Sequence, residues 1–262
     1  MQPLNKHSPT GSSQLTFIGH ATVLVEMDGV RVITDPLLRS RIVHLRRHKR
    51  SNRPVDDLKV DAVLVSHLHF DHLDLPSLQR LGHSTRLIVP RGAAKLLPKF
   101  ENVEELSAGD TTTVGSVTVK ATQAQHAGTR HPFGPAADTL GFTIEGRHTI
   151  YFSGDTDLFP EMAELAGTLD VALLPVWGWG PNLGKGHMDP YRAAEALKLL
   201  QPGLAIPIHW GTLHPWGIGW LMLRILTNPP QMFVQYAKYL APGVKTCVVA
   251  PGETISVDEV LP

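Results

Sequence analysis

Within six residues the chain sets four side chains that can bind a metal: His67, His69, Asp71 and His72, in the segment Ser66-His67-Leu68-His69-Phe70-Asp71-His72. Imidazole and carboxylate are the donors that a borderline divalent ion takes, with zinc as the default and manganese or iron as alternatives. In extended or turning backbone, His67 and His69 stand two apart and aim the same way, while the adjacent Asp71 and His72 diverge from them. The reading is two ligand pairs and two ions. One cluster cannot close two sites, and further donors follow at comparable positions: His126, Asp155 and His209. All four segments come just after a short apolar run: Ala62 to Val65, the strand region ending near Ala121, Thr149 to Phe152, and Leu204 to Ile208. Loops at the ends of sheet strands are where a rigid scaffold displays side chains into one cleft.

The elements that must hold these donors read as strands first. Leu15 to Ile18, Thr22 to Met27 and Val30 to Thr34 are β-rich, with Asp28-Gly29 as a two-residue hairpin turn. After the strand at Ala62 to Val65 the pattern predicts a helix from Pro76 to Leu81, a strand at Leu87 to Val89 and a helix near Ala93 to Leu97. Strands follow at Thr111 to Val119, Gly141 to Ile144 and Thr149 to Phe152, then a helix from Leu158 to Ala166 and a strand at Val171 to Leu174. Asp189-Pro190 opens the clearest helix, with Asp as cap, Pro at the first helical position and Gly203 beyond its end. The order fits an α/β (α+β) chain of two sheets with helices outside them. Residues 1–13 are expected to form a flexible tail and residues 14–262 one domain.

The 24 acidic and 24 basic residues cancel, so no global positive field marks a nucleic-acid binder. No apolar stretch is long enough to span a bilayer and the N-terminus lacks the apolar core of a signal peptide, so a cytoplasmic location is the default. The single cysteine, Cys247, reads as a small buried hydrophobe. From Arg39 to Arg53 the chain carries seven basic residues and no acid: Arg39, Arg41, Arg46, Arg47, Lys49, Arg50 and Arg53. That run reads as a solvated loop or, more sharply, as an anion-binding flap beside the site. Trp177-Gly178-Trp179-Gly180 fills a core poorly and reads as a pocket rim. The run Trp216 to Leu226 reads as a helix covering the cleft, with peripheral membrane contact as its sharper version.

The pattern His67-x-His69-x-Asp71-His72, then His126, Asp155 and His209, resembles the metallo-β-lactamase superfamily, whose fold is a four-layered αββα sandwich. Gly19-His20-Ala21-Thr22, Thr34-Asp35-Pro36, Gly186-His187-Met188-Asp189-Pro190 and Ile208-His209-Trp210-Gly211-Thr212 resemble more narrowly the branch with N-acyl-phosphatidylethanolamine-hydrolysing phospholipase D and the L-ascorbate-6-phosphate lactonases. The likeness runs from Leu15 to about Tyr239. It implies one ion on His67, His69 and His126, a second on Asp71, His72 and His209, and Asp155 bridging them. It also implies that Asp35 holds a ligand histidine by its other ring nitrogen, and that His187 contacts substrate or the developing oxyanion. His20 is either satisfied by hydrogen bonds in the first hairpin or placed around the pocket. Leu68 departs from the polar residue frequent in relatives and questions the substrate wall.

The expected chemistry is hydrolysis by a hydroxide shared between two ions about 3.5 to 4 Å apart, with Asp71 accepting a proton and Asp155 holding the pair. A small anionic substrate is expected, a phosphodiester or phosphate-bearing ester before a lactone or carboxylic ester. Hydrolysis of β-lactams is disfavoured, because Asp155 takes the bridging position and the lone cysteine lies near the C-terminus. Two other classes are an iron-binding redox protein, which here lacks a flavodoxin-like domain to deliver electrons, and a metal-stabilised binding module without turnover.

Overall fold

The computed structural model describes residues 12–48, 58–131 and 133–261. Strands β1 (Gln14–Gly19), β2 (Thr22–Met27) and β3 (Val30–Thr34) open the chain as an antiparallel meander. Asp28 and Gly29 both take positive φ, 53° and 77°, the signature of the two-residue turn expected there. Short strands β4 (Arg41–Ile42) and β5 (Leu45–Arg47) form a hairpin, followed by β6 (Ala62–Leu64), helix α1 (Leu75–Leu81), β7 (Arg86–Pro90), β8 (Val103–Leu106), β9 (Thr111–Val114) and β10 (Val117–Gln123). Then come β11 (Leu140–Glu145), β12 (Thr149–Phe152), β13 (Val171–Pro175), α2 (Pro190–Leu200), β14 (Leu204–Ile208), β15 (Leu213–Pro215), α3 (Leu223–Thr227), α4 (Pro229–Leu240), β16 (Lys245–Thr246), β17 (Thr254–Ser256) and α5 (Val257–Val260).

Two seven-stranded sheets result, ordered β17-β1-β2-β3-β6-β7-β8 and β16-β14-β13-β12-β11-β10-β9, with a small third sheet, β15-β5-β4. Strand alternation decides what fills the space between them. Val23 and Val25 of β2, Ala62 and Leu64 of β6 and Ile88 of β7 join the large core that also holds Phe142, Phe152 and Leu173 of the second sheet. Their neighbours Leu24, Val63, Leu87 and Val89 point the other way, into a second core with Leu78 of α1. Helices α2 and α4 pack against each other outside the second sheet. The layers are therefore helix, sheet, sheet, helix, the αββα sandwich of the metallo-β-lactamase fold.

In α2, the Asp189 carboxylate accepts from the Arg192 N–H at 2.8 Å and Pro190 starts the first turn. Its buried face, Ala193, Ala194, Ala196, Leu197 and Leu200, has helical spacing. Gln201, at φ 46°, provides the left-handed cap, and Gly203 lies two residues further on. Several expectations need correction. The predicted helices near Ala93 and Leu158 are 3-10 turns, Ala94–Leu96 and Pro160–Leu165. Thr111 to Val119 is a hairpin turning at Gly115-Ser116. The expected tail of residues 1–13 reaches too far. Ser13 is buried and its N–H donates to the Asp258 carboxylate at 2.7 Å, while residues 1–11 lie outside those described. Cys247 is half-buried at the edge of the core, where burial and Glu253 push its thiol up.

Candidate metal centre and cavity

Four strand ends deliver the expected donors to one edge of the sandwich. His67 follows β6 in the first sheet; His126, Asp155 and His209 follow β10, β12 and β14 in the second. Asp155 depends on Gly154, which sits at φ 61° where a Cβ would come within 2.6 Å of Ser66 Cβ and 2.8 Å of the Leu140 carbonyl. Only glycine lets the β12 loop pass that close to the histidine segment.

The outer nitrogens of the rings have partners that fix which nitrogen faces inward. His126 Nδ1–H donates to the Gly186 carbonyl and His209 Nδ1–H to the Trp177 carbonyl, each at 2.7 Å. His72 Nδ1–H donates to Asp35 Oδ2 at 2.6 Å. Ser66 Oγ–H also donates to Asp35 Oδ2, at 2.6 Å, so the serine oxygen is free to accept from His67 Nδ1–H at 2.9 Å. Asp35 therefore orients His72 directly and His67 through Ser66, with the Ser66 N–H on its other oxygen at 2.7 Å. Sequence reading missed Ser66; its place directly before the histidine motif was the available signal.

Each of the four rings thus turns Nε2 inward as a lone pair when neutral. His69 turns Nδ1 inward, 3.0 Å from both His67 Nε2 and His126 Nε2. One ring nitrogen carries one proton or one lone pair and cannot serve both neighbours. The spacing instead approaches the separation of about 3.3 Å between donors on one tetrahedral ion at 2.0–2.1 Å. Beside this triad, His72 Nε2 and His209 Nε2 stand 3.1 Å apart. Asp155 Oδ2 is 3.1 Å from the first and Oδ1 is 3.3 Å from the second, and Oδ1 is buried without a hydrogen-bond donor among the described residues. Asp71 Oδ2 lies 3.8 and 3.9 Å from the same two nitrogens. Converging lone pairs and carboxylates repel one another unless cations sit among them. The donor set fits metal ions.

Burial, aided by neighbouring rings, pushes His67 and His69 below the ordinary histidine range, His126 down to about 4 and His209 down to about 3. These rings are neutral at neutral pH. Burial also opposes charge on His72, but Asp155, Asp35 and Asp71 outweigh it and hold that ring well above its ordinary value. Burial opposes the charge on Asp155 and Asp71 as well. Even so, His209 and His72 keep Asp155 well below the usual carboxylate range, and His72 with His20 does so for Asp71.

His20 is fully buried at φ 61°, and its Nε2–H donates to Asp71 Oδ2 at 2.8 Å. It joins the site through Asp71, and its partner is not in the first hairpin. His187 Nδ1–H donates to the Gly184 carbonyl at 3.2 Å while Nε2 lies 3.4 Å from Asp155 Oδ2. Trp179 stands on the rim, edge-on to His44. Trp177 does not; it packs against the main core, with its indole N–H on the Gly180 carbonyl. Leu68 is fully buried in the second core, so it forms no substrate wall.

Over the donors opens a cavity of about 310 Å³. His69, Asp71, Asp155 and His187 form its polar side; Ile42, Val43, Leu45, Phe70 and Trp179 form the rest with His44 and Arg130. The β4–β5 hairpin is thus a flap beside the site, but its cationic side chains go elsewhere. Arg39 pairs with Asp74 at 2.6 Å. Arg47 is drawn inward to the Ile18 and Leu37 carbonyls, and burial lowers it to about 10. Lys49, Arg50 and Arg53 lie outside the described residues. The wall is apolar because alternation along a two-residue hairpin turns Ile42 and Leu45 to the site and Arg41 and Arg46 away. Arg130, which the sequence reading passed over, donates to the Leu68 carbonyl at 2.7 Å and stacks 4.2 Å above the Phe70 ring.

Residues 30–210 match the family model of the beta-lactamase superfamily domain. A UPF0173 metal-dependent hydrolase from Methanopyrus kandleri is 30% identical, over 92% of this chain and 98% of its own. The N-acyl-phosphatidylethanolamine-hydrolyzing phospholipase D 1 of Caenorhabditis elegans is 31% identical, over 80% of this chain and 67% of its own. Among solved structures, Igni18, a metallo hydrolase from the archaeon Ignicoccus hospitalis, superposes with a TM-score of 0.70 at 24% identity, covering 94% of this chain and 98% of its own.

Proposed function

Because this chain belongs to the metallo-β-lactamase superfamily and is a metal-dependent hydrolase of it, we propose that it cleaves an ester-type bond with two ions held on the converging donors. One ion is assigned to His67, His69 and His126, the other to Asp71, His72 and His209, with Asp155 shared between them. The observation that carries this is the orientation of the rings: the partners on the outer nitrogens of His67, His72, His126 and His209 turn each Nε2 inward around Asp155. When bound, such ions supply Lewis acidity and a water acidified to a pKa of about 7.

The chain's own residues supply the rest. Asp155 and Asp71 offset the ionic charge, and His20 holds Asp71 in register. Burial beneath the flap keeps bulk water away and strengthens each of these interactions. His187, facing the cavity beside Asp155, donates from Nε2 to the oxygen that gains charge as the bond breaks. The apolar wall takes a hydrocarbon or aryl arm of the substrate, and Arg130 gives the cavity one fixed positive charge. A phosphodiester with an apolar arm fits this combination and agrees with the likeness to a phospholipase D. A carboxylic ester or lactone is the second reading, favoured by a wall that carries a single guanidinium among the described residues.

The test is metal analysis joined to hydrolysis of a bis-aryl phosphodiester, an aryl ester, a lactone and a β-lactam, with His69→Ala and Asp155→Ala as controls. About two metals per chain and cleavage lost in both variants is the expected result. Failure to bind metal after reconstitution overturns the reading, and the preferred panel member sets the bond class.

A further inference from the structure

The flap has a second face. Along β5, Leu45 turns to the cavity while Arg46 turns away, and on the paired β15 His214 lies opposite Arg46. Arg46 and His214 line a groove of about 400 Å³ completed by Trp216, Trp220 and Leu223. Its aromatic wall is unusually open: Trp216 is 67% exposed, Trp220 72% and Leu221 62%. Large apolar side chains grouped like this on a surface mark contact with a partner or a lipid phase. The 3-10 turn Gly219–Met222 and α3 present them, so the expected covering helix lies beside the cleft on the outer side of the flap.

Charge distinguishes the occupant. Neither stretch that builds the face carries an acid: residues 36–48 and 213–224 contain no Asp or Glu. Arg46 lines it, Arg41 is the cross-strand partner of Arg46, and Arg224 follows Leu223 in α3; all three are exposed. Exposed tryptophans among arginines, without acids, match an interface of acyl chains below anionic headgroups. A two-fold contact between copies would press one cationic face against another. The face also continues into the cavity mouth. The Trp216 N–H donates to the His44 carbonyl at 3.0 Å, and Val43, next to His44 at the hairpin tip, is 76% exposed.

We propose that this tryptophan and arginine face docks the protein on a lipid surface bearing anionic headgroups and sets the cavity mouth against it. Docking stands on the surface alone; delivery of an amphiphilic substrate to the metals is the part that rests on the hydrolase reading.

Co-sedimentation of the metal-loaded full chain with phosphatidylcholine vesicles, with and without phosphatidylglycerol, tests it without any turnover. Binding is expected with the anionic vesicles and a blue shift of tryptophan emission with it. Trp216→Ser/Trp220→Ser should abolish both, and Arg46→Gln/Arg224→Gln should weaken binding about fivefold for each charge removed. Every altered side chain is exposed, so Tm should stay at the wild-type value, and the arginine pair decides the matter if the tryptophan pair folds poorly. Wild-type protein that ignores anionic vesicles, or binding unchanged in both pairs, overturns the proposal. A dimer dissolved by the tryptophan pair, with no vesicle binding, overturns it in favour of self-association.

Discussion

His187 Nε2 stands 3.4 Å from Asp155 Oδ2 and lines the cavity with that carboxylate, while its Nδ1 is tied to the Gly184 carbonyl. The ring is anchored on one side and aimed at the reacting centre on the other. His187→Gln should therefore lower kcat by roughly 10² to 10⁴ and leave the metal content at the wild-type level. Burial works against the charged ring, but Asp155 raises its pKa above 6.5. The donor form is thus present at low pH and lost as pH rises through that raised value. A pH profile of kcat should show an alkaline limb in the wild type and lack it in the variant. Loss of metal from His187→Gln would contradict this role.

Asp35 offers one carboxylate to three donors, the Ser66 N–H, the Ser66 hydroxyl and His72 Nδ1–H. An amide at that position cannot accept from all of them, so His72 and His67 lose their fixed orientation. Asp35→Asn should weaken metal binding about 10- to 100-fold in competition with a chelator. Excess metal should restore much of its activity, which a variant of a direct ligand would not allow.

How much of this was legible beforehand follows from what carries each feature. The convergence of these histidines and aspartates was readable because four of them fall within six residues and the segments each follow an apolar strand, a relation set by local sequence. The Asp28-Gly29 turn and the Asp189-Pro190 helix start were readable for the same reason. The apolar flap was not. Seven basic residues between Arg39 and Arg53 dominate its composition, yet the two-residue period of a short hairpin sends Ile42 and Leu45 to the cavity. Leu68 and the Trp177 ring face the core, which sequence position cannot say of a loop residue, while the Trp177 carbonyl still meets the site through His209 Nδ1–H.

Metal uptake should release a proton. Without metal, His72 is held charged at neutral pH by three carboxylates, and its Nδ1–H stays with Asp35, so the extra proton is on Nε2. His67, His69, His126 and His209 are already neutral and have none to give. Filling the site therefore displaces that proton, and a bound water acidified to about 7 releases up to one more, giving about one to two protons per chain at pH 7. Calorimetric titration with zinc in buffers of different ionisation enthalpy measures that number directly. Release of more than two protons would mean that the other rings start charged.

Gly154 tests the packing that places Asp155. A methyl group there meets Ser66 Cβ and the Leu140 carbonyl in a backbone conformation L-residues avoid. Gly154→Ala should cost about 1–3 kcal/mol of stability, seen as a lower denaturation midpoint. It should also reduce metal affinity, because the strand end must retreat from the histidine segment and take Asp155 with it.

Val43 adopts φ 46° at the tip of the flap and is 76% exposed. A β-branched residue in the left-handed region is strained, and its exposed side chain gains nothing from the core to offset that strain. Asparagine takes the same conformation readily, so Val43→Asn should stabilise the fold by about 0.5–1.5 kcal/mol. Val43 also lines the cavity, so strain retained at this exposed apolar position points to a contact with substrate at the mouth. KM for a substrate with a long apolar arm should then rise in Val43→Asn, while KM for a methyl-armed analogue and kcat for both stay near wild type. A stabilised variant with unchanged KM for both substrates would separate the strain from recognition and leave the wall of the cavity to Phe70 and Trp179.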